Sequence, residues 1–332
     1  MRVNIFIRNP YRLGNFSVEI FYKELIDELE NKIDIKLIRV PFKNKGIIPR
    51  LLNILFCAVN QVEINHIVGD ISYCSFLMDK KRLVLTILDC VSLHRHKGIK
   101  KYLLKFFLFK FPILKSSKVI VISDATKNDL IHFINLKKVE YKVIPVTVSK
   151  TFFNKKIQQK NSTKKFNKNF LIIGTAPNKN IERIAVALGG VECKLSIIGK
   201  LNSRQKKQLI SSKINFKEIA YPLTENQIIN EYKKSDLLIF CSELEGFGMP
   251  IIEANLMGIN ILTSNISSMP YVASDSAVYV DPFAVQSIKD GIVRIIDNGE
   301  LRDQLILKGL KNSNRFLIKQ IANKHLTLYQ SL

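Results

Sequence analysis

The sequence predicts an α/β protein of two doubly wound domains, each a mostly parallel sheet with helices on its faces. Three observations carry that prediction. Short β-branched runs alternate with stretches of helical period along nearly the whole chain. The alternation stops once, at FNKKIQQKNSTKKFNKN (153–169), which is polar, basic and poor in large apolar residues. It then starts again. Alternation of this kind argues for βα units and a parallel sheet, and the interruption reads as a linker.

In the first half the strand candidates are VNIFI (3–7), IDIKLIRV (33–40), HIVG (66–69), LVLTIL (83–88), KVIVIS (118–123) and YKVIPV (141–146). Helical period fills the gaps from Ser17 to Glu30, Ile47 to Val59, Ile99 to Leu114 and Asp124 to Ile134. In the second half the strands are FLIIG (170–174), KLSIIG (194–199), INFKEI (214–219), DLLIFCS (236–242), INILTS (259–264) and AVYVDP (277–282). The segment from Asp281 opens a helix with Asp281 as N-cap and Pro282 at the first helical position. From Gly299 onward the chain is helical. The expected organisation is therefore an N-terminal Rossmann-like domain (1–150), a basic linker (151–168), a C-terminal Rossmann-like domain (169–312) and a final helix (313–332) that crosses back to the first domain. In such sheets ligands sit at the carboxyl ends of strands, and a cleft between two such domains is the expected site.

The chain has 332 residues, 47% of them hydrophobic and 24% charged, which is a globular composition. A membrane-spanning helix needs about 20 mostly apolar residues, and the best stretch, YLLKFFLFKFPILK (102–115), is interrupted by lysines. The N-terminal apolar run is too short for a signal peptide. The expected location is the cytoplasm, peripheral at the inner face of the plasma membrane. Five scattered cysteines without a CxxC pair read as buried thiols. The formal net charge of +23 attracts polyanions: nucleic acid, anionic headgroups or phosphorylated substrates.

The most informative stretch is ELEGFGMPIIEA (243–254). DLLIFCS before it suits a central strand, and MPIIEANLM after it has helical period, with Pro250 in the first turn. Gly246 and Gly248 permit backbone angles closed to other residues. The free N–H groups of the following helix make an anion site. Glu253, placed in the first helical turn, is favoured as a carboxylate by the dipole and can accept two hydrogen bonds from a vicinal diol. Glu245 stands at the end of the strand.

SELEGFGMPIIEANLMGINILTSN resembles the E-x7-E motif of retaining glycosyltransferases of family 4, which have the GT-B fold. IIGTAPNKNIERI (172–184) resembles the start of the donor domain of that family, and HIVGDI (66–71), VLTILDC (84–90) and VIVISDATKNDL (119–130) resemble segments of its acceptor domain. The resemblance implies a nucleotide-sugar donor in the C-terminal domain. Glu253 would hold the ribose, and Glu245 the donor sugar. Backbone N–H groups around Gly246, Phe247, Gly248 and Met249 would position the donor. Lys179, with Gly174 before it, would bind the diphosphate and stabilise the leaving group, whose charge grows in the transition state. Gly14 and Asn15 follow the first strand and would leave room for phosphate or sugar, Leu88 would line the acceptor side of the cleft, and Asp89 would join Glu245 and Lys179 as a catalytic residue.

Two positions depart from the family. Thr175 stands where a basic residue is common, with Lys200 or Arg204 as substitutes, and Leu88 stands where histidine is common. No DxD occurs in the chain, in keeping with a metal-independent reaction. No cofactor or metal is expected.

Arg95 to Lys118 carries eight basic residues and no acid, with aromatic and aliphatic residues between them. It reads as a core helix with a cationic fringe that touches an anionic membrane. The function expected is retaining transfer of a sugar from a nucleoside diphosphate to a glycan or lipid-linked acceptor in cell-surface polysaccharide synthesis, with no nucleic-acid partner. The alternatives are a non-catalytic basic scaffold of GT-B-like fold, binding nucleic acid or anionic lipid, and a nucleotide-sugar epimerase.

Overall fold

The computed structural model describes residues 1–9, 17–136, 139–157 and 165–332. They form two compact units, Met1–Thr147 with Leu317–Leu332, and Val148–Phe316.

The first unit runs β1 (Arg2–Ile7), α1 (Ser17–Leu29), β2 (Asp34–Arg39), α2 (Ile47–Val59), β3 (Ile64–Val68), β4 (Leu83–Ile87), α3 (Val91–Arg95), α4 (Gly98–Leu104), α5 (Phe111–Leu114), β5 (Lys118–Val121), α6 (Asp124–Ile134) and β6 (Tyr141–Val143). The strands lie in the order β2-β1-β3-β4-β5-β6 and all pair in parallel. β3 and β4 are buried at every position, as central strands covered on both faces must be. β2, at the edge, is exposed at Asp34, Lys36 and Arg39.

The second unit runs α7 (Lys150–Asn154), β7 (Asn169–Ile173), α8 (Ile181–Ala187), β8 (Lys194–Ile198), α9 (Ser203–Ser211), β9 (Asn215–Ile219), α10 (Glu225–Lys234), β10 (Leu237–Phe240), α11 (Met249–Met257), β11 (Asn260–Ser264), α12 (Met269–Ala273), β12 (Val278–Val280), α13 (Val285–Asp297) and α14 (Gly299–Asn312). Its strand order is β12-β11-β10-β7-β8-β9, again all parallel. The order reverses between β1 and β3 in the first sheet and between β7 and β10 in the second. Such switch points open a crevice at the carboxyl ends of the strands, where doubly wound folds bind ligands.

The last helix, α15 (Ile318–Gln330), packs in the first unit against α1. His66 on β3 anchors it. Its Nδ1 lies 2.7 Å from the Tyr329 hydroxyl and its Nε2 lies 2.6 Å from Thr86 Oγ1. His325 is buried beside His66, with ring centroids 6.0 Å apart.

Four expectations need correction. Asp281 does not cap a helix. Its Oδ1 accepts from Phe283 N at 2.9 Å, which closes a turn, and the helix starts at Val285. The stretch from Ile99 to Leu114 is not one regular helix, because a π-helical turn at Lys105–Lys110 separates α4 from α5. Residues 150–154, counted partly with the linker, form α7 and bury Phe152 against Tyr232, with ring centroids 6.0 Å apart. Of the two glycines in the 243–248 turn, only Gly248 has a positive φ.

Candidate functional site

At the switch point of the second sheet, the loops after β7 and β10 are joined by one asparagine-rich turn. The chain leaves β7 at Gly174 (φ +86), where a Cβ would stand 2.9 Å from Lys179 Cε, so the absence of a side chain leaves room for the lysine stem. Asn178 Nδ2 donates to Leu244 O at 2.8 Å and to Glu245 Oε1 at 3.1 Å, and its carbonyl accepts from Glu243 N at 2.9 Å. Asn180, in the left-handed region, donates from Nδ2 to Cys241 O at 3.1 Å and to Pro282 O at 2.6 Å. Arg183 pairs with Glu243.

These bonds bring Lys179 and Glu245 together. Lys179 Nζ lies 2.7 Å from Glu245 Oε1 and 4.4 Å from the centre of the Phe240 ring. Both side chains are mostly withdrawn from solvent, at 16% and 15% exposure. Glu245 is fixed through its backbone as well, since the Ser267 hydroxyl donates to its carbonyl at 2.7 Å and Ser268 Oγ donates to the same oxygen at 3.1 Å.

Gly246 and Phe247 lead from Glu245 to Gly248, the left-handed N-cap of α11. Phe247 is buried against Phe316, with ring centroids 5.8 Å apart. Among the described residues, the amides of Phe247, Gly248 and Met249 have no protein acceptor. Three orphan donors at a helix start, beside an ammonium, are chemically suited to an anion such as a diphosphate.

Glu253 is the fifth residue of α11, so it lies beyond the first turn, where the dipole acts most strongly. The expectation that the dipole holds it ionised is therefore overturned. Burial pushes its carboxyl up to about 7; the hydrogen bond from Tyr232 opposes this, Glu225 adds to it and Lys179 opposes it. Tyr232 donates to Oε2 at 2.6 Å, so Oε1 is the oxygen left for a diol.

Thr175 has a structural task of its own. Its hydroxyl donates to Lys200 O at 2.8 Å and its carbonyl accepts from Gln205 Nε2 at 3.0 Å, which ties the loops after β7 and β8 together. Lys200 is exposed. Arg204 is 86% exposed and makes a 3.7 Å ion pair with Glu182.

The first unit has its own concavity at the β1/β3 switch point, a pocket of about 240 Å³ lined by residues including Arg8, Glu19, Asp70, Leu88 and Asp89. Leu88 is half-buried and Asp89 exposed. Asp89 Oδ1 accepts from Val91 N at 2.9 Å, which turns the chain into α3. Arg8 pairs with Glu19 at 3.1 Å and with Asp70 at 3.7 Å. Gly14 and Asn15 lie outside the described residues. Sequence reasoning missed Asn178, Asn180, Tyr232 and Ser267. Each is an ordinary polar residue in its own segment, and nothing local marks it; only the pairing of distant loops gives it a role.

Two parallel six-stranded sheets of this topology, with helices on both faces, define the GT-B fold. Within it, residues 153–312 match the family described as glycosyl transferases group 1. The chain is 28% identical to O-antigen chain mannosyltransferase B of Escherichia coli over 101 residues, which are 30% of this chain and 26% of that protein. It spans less than two thirds of the length of the curated relatives it matches. Sucrose-phosphate synthase from Thermosynechococcus elongatus superposes with a TM-score of 0.81 at 12% identity, covering 100% of this chain and 99% of that one. Anabaena HepE in complex with UDP and glucose superposes with a TM-score of 0.75 at 14% identity, covering all of both chains.

Proposed function

We propose that the chain is a retaining, metal-independent glycosyltransferase. It moves a hexose from a nucleoside diphosphate to a glycan or lipid-linked acceptor in the synthesis of a cell-surface polysaccharide. The observation that carries this reading is the Lys179–Glu245 pair at the β7/β10 switch point, beside the three unpaired amides that open α11. The ammonium and amides suit a diphosphate, and the ammonium stabilises it most as the leaving group gains charge. Glu245 suits a sugar hydroxyl next to it, and Glu253 Oε1 a ribose diol. In a retaining transfer the departing phosphate itself accepts the acceptor's proton, so no separate strong base is needed.

The mannosyltransferase among the relatives makes mannose the first sugar to try, and the UDP and glucose in the HepE complex make a uridine donor the second. Arg95 to Lys118 is proposed to hold the protein at the inner face of an anionic membrane, where a lipid-linked acceptor is presented. The deciding experiment is a thermal-shift panel of UDP, GDP, ADP and their sugars, followed by transfer assays with the best donor. A chain stabilised by none of them is not a nucleotide-sugar enzyme.

A further inference from the structure

We propose that α2 is a membrane-inserting helix, whose exposed apolar face enters the headgroup region of an anionic bilayer. This extends the proposed contact through Arg95–Lys118 to a second element with a different task.

The face is defined by six residues. Ile47, Ile48, Leu51, Leu52, Leu55 and Val59 are all exposed, Ile47 at 76% and Val59 at 80%. At about 100° per residue they fall within about 140° of the helix circumference. Asn53, Ile54 and Cys57, on the opposite arc, are buried in the protein. The helix is therefore firmly seated on one side and apolar to solvent on the other. Single exposed apolar residues are ordinary, but a contiguous face of this kind marks an interaction surface.

Charge selects the occupant. From Pro41 to Val62 the chain contains no acid, while Lys43, Lys45 and Arg50 flank or enter the helix. α2 packs on the turn Gly69–Leu77. Phe76 of that turn stacks edge-on against Phe111 at 4.8 Å and lies 6.2 Å from Phe107, both in the acid-free segment from Cys90 to Ser123. One turn thus joins an apolar helix to a second cationic stretch that also exposes Ile99, Tyr102 and Phe107. An apolar face set among cations suits a surface with acyl chains below and negative headgroups around it. A second copy of a chain with a net charge of +23 is a poor fit, because the same acid-free surroundings would meet themselves.

The chain contains no tryptophan, so one substitution makes a clean reporter. Leu51→Trp places it on the face, and Ile210→Trp, on an exposed site of α9 in the other unit, serves as control. Vesicles of phosphatidylcholine with phosphatidylglycerol are added to each. We expect Leu51→Trp emission to shift to the blue and to be quenched by acyl-brominated lipid, with Ile210→Trp unchanged. A full-length variant with Ile47→Ser, Ile48→Ser, Leu51→Ser and Leu55→Ser should lose at least tenfold in vesicle partitioning at high salt, where headgroup attraction is screened. Its unchanged far-ultraviolet spectrum and nucleotide-induced thermal shift would show that the fold is kept. Unshifted Leu51→Trp emission on bound protein overturns the proposal. So does a wild-type dimer that the serine variant renders monomeric, since a second copy then covers the face. Neither result touches the donor site, which the nucleotide panel tests separately.

Discussion

Lys179 and Glu245, 66 positions apart in the chain, form a 2.7 Å ion pair in which each neutralises the other. A diphosphate that takes the ammonium shares it with this carboxylate, and a sugar placed beside the diphosphate meets the carboxylate. Glu245→Gln should therefore nearly abolish transfer while leaving nucleoside diphosphate affinity almost intact. Lys179→Ala should lower kcat more than it weakens donor binding, because the charge it meets grows in the transition state. Steady-state kinetics and calorimetry on both variants check this. A rise in KM at constant kcat for Lys179→Ala would reduce the lysine to a uniform binding group.

Glu253→Ala should weaken nucleoside diphosphate binding by about 1–3 kcal/mol, the range for losing charged hydrogen bonds. Calorimetry on the folded variant measures it. Unchanged affinity would remove Glu253 from the ribose site.

The Glu253 carboxyl also sets a pH dependence. Its pKa is raised from 4.5 to about 7 by burial, so the folded state binds its proton more tightly than the unfolded state. Its contribution to stability is full below pH 4.5 and is lost as pH rises through about 7. Melting temperature against pH, for wild type and Glu253→Gln without nucleotide, isolates the effect. The glutamine variant should lack that fall.

The buried histidines His66, beneath α15, and His325, on it, act in the opposite sense. Burial pushes His325 from 6.5 down to about 4, against the hydrogen bond to the Ile321 carbonyl. Burial and the neighbouring His325 push His66 down as well. A lowered histidine pKa means that the unfolded state takes up the proton first, so this stability is present above pH 6.5 and lost as pH falls toward 4. Amide exchange in α15 should accelerate over that window, and His325→Phe should remove part of the acid sensitivity. Exchange in α15 independent of pH, after correction for the chemical rate, would contradict this.

Transfer activity should survive EDTA, since the proposed charge stabilisation at the diphosphate comes from Lys179 and the α11 amides. Complete loss of activity, restored by manganese or magnesium, would replace this with metal chemistry.

Much of the fold was legible along the chain. Helices α2, α6 and α11 begin and end where the sequence places them, because helical spacing and end signals such as Pro250 in the first turn of α11 are local patterns. The strands were placed to within a few residues for the same reason. The glutamate pair and its double glycine were visible because they stand within one strand–turn–helix segment. Tertiary structure decided the rest. β7 and β10 are neighbours only because the sheet reverses there, and nothing in either segment announces its partner. That pairing puts Lys179 on Glu245 and brings Asn178 to the same carboxylate. Protonation was decided in the same way. The local argument from the helix dipole placed Glu253 as a carboxylate, but desolvation by the surrounding fold outweighs it. The face of α2 follows the same division: its amphipathic period is local, but which side meets the core and which meets solvent depends on what packs against it. Periodicity and turn chemistry act over a few residues and can be read from the sequence, whereas strand order, burial and charge pairing are properties of chain segments that only folding brings together.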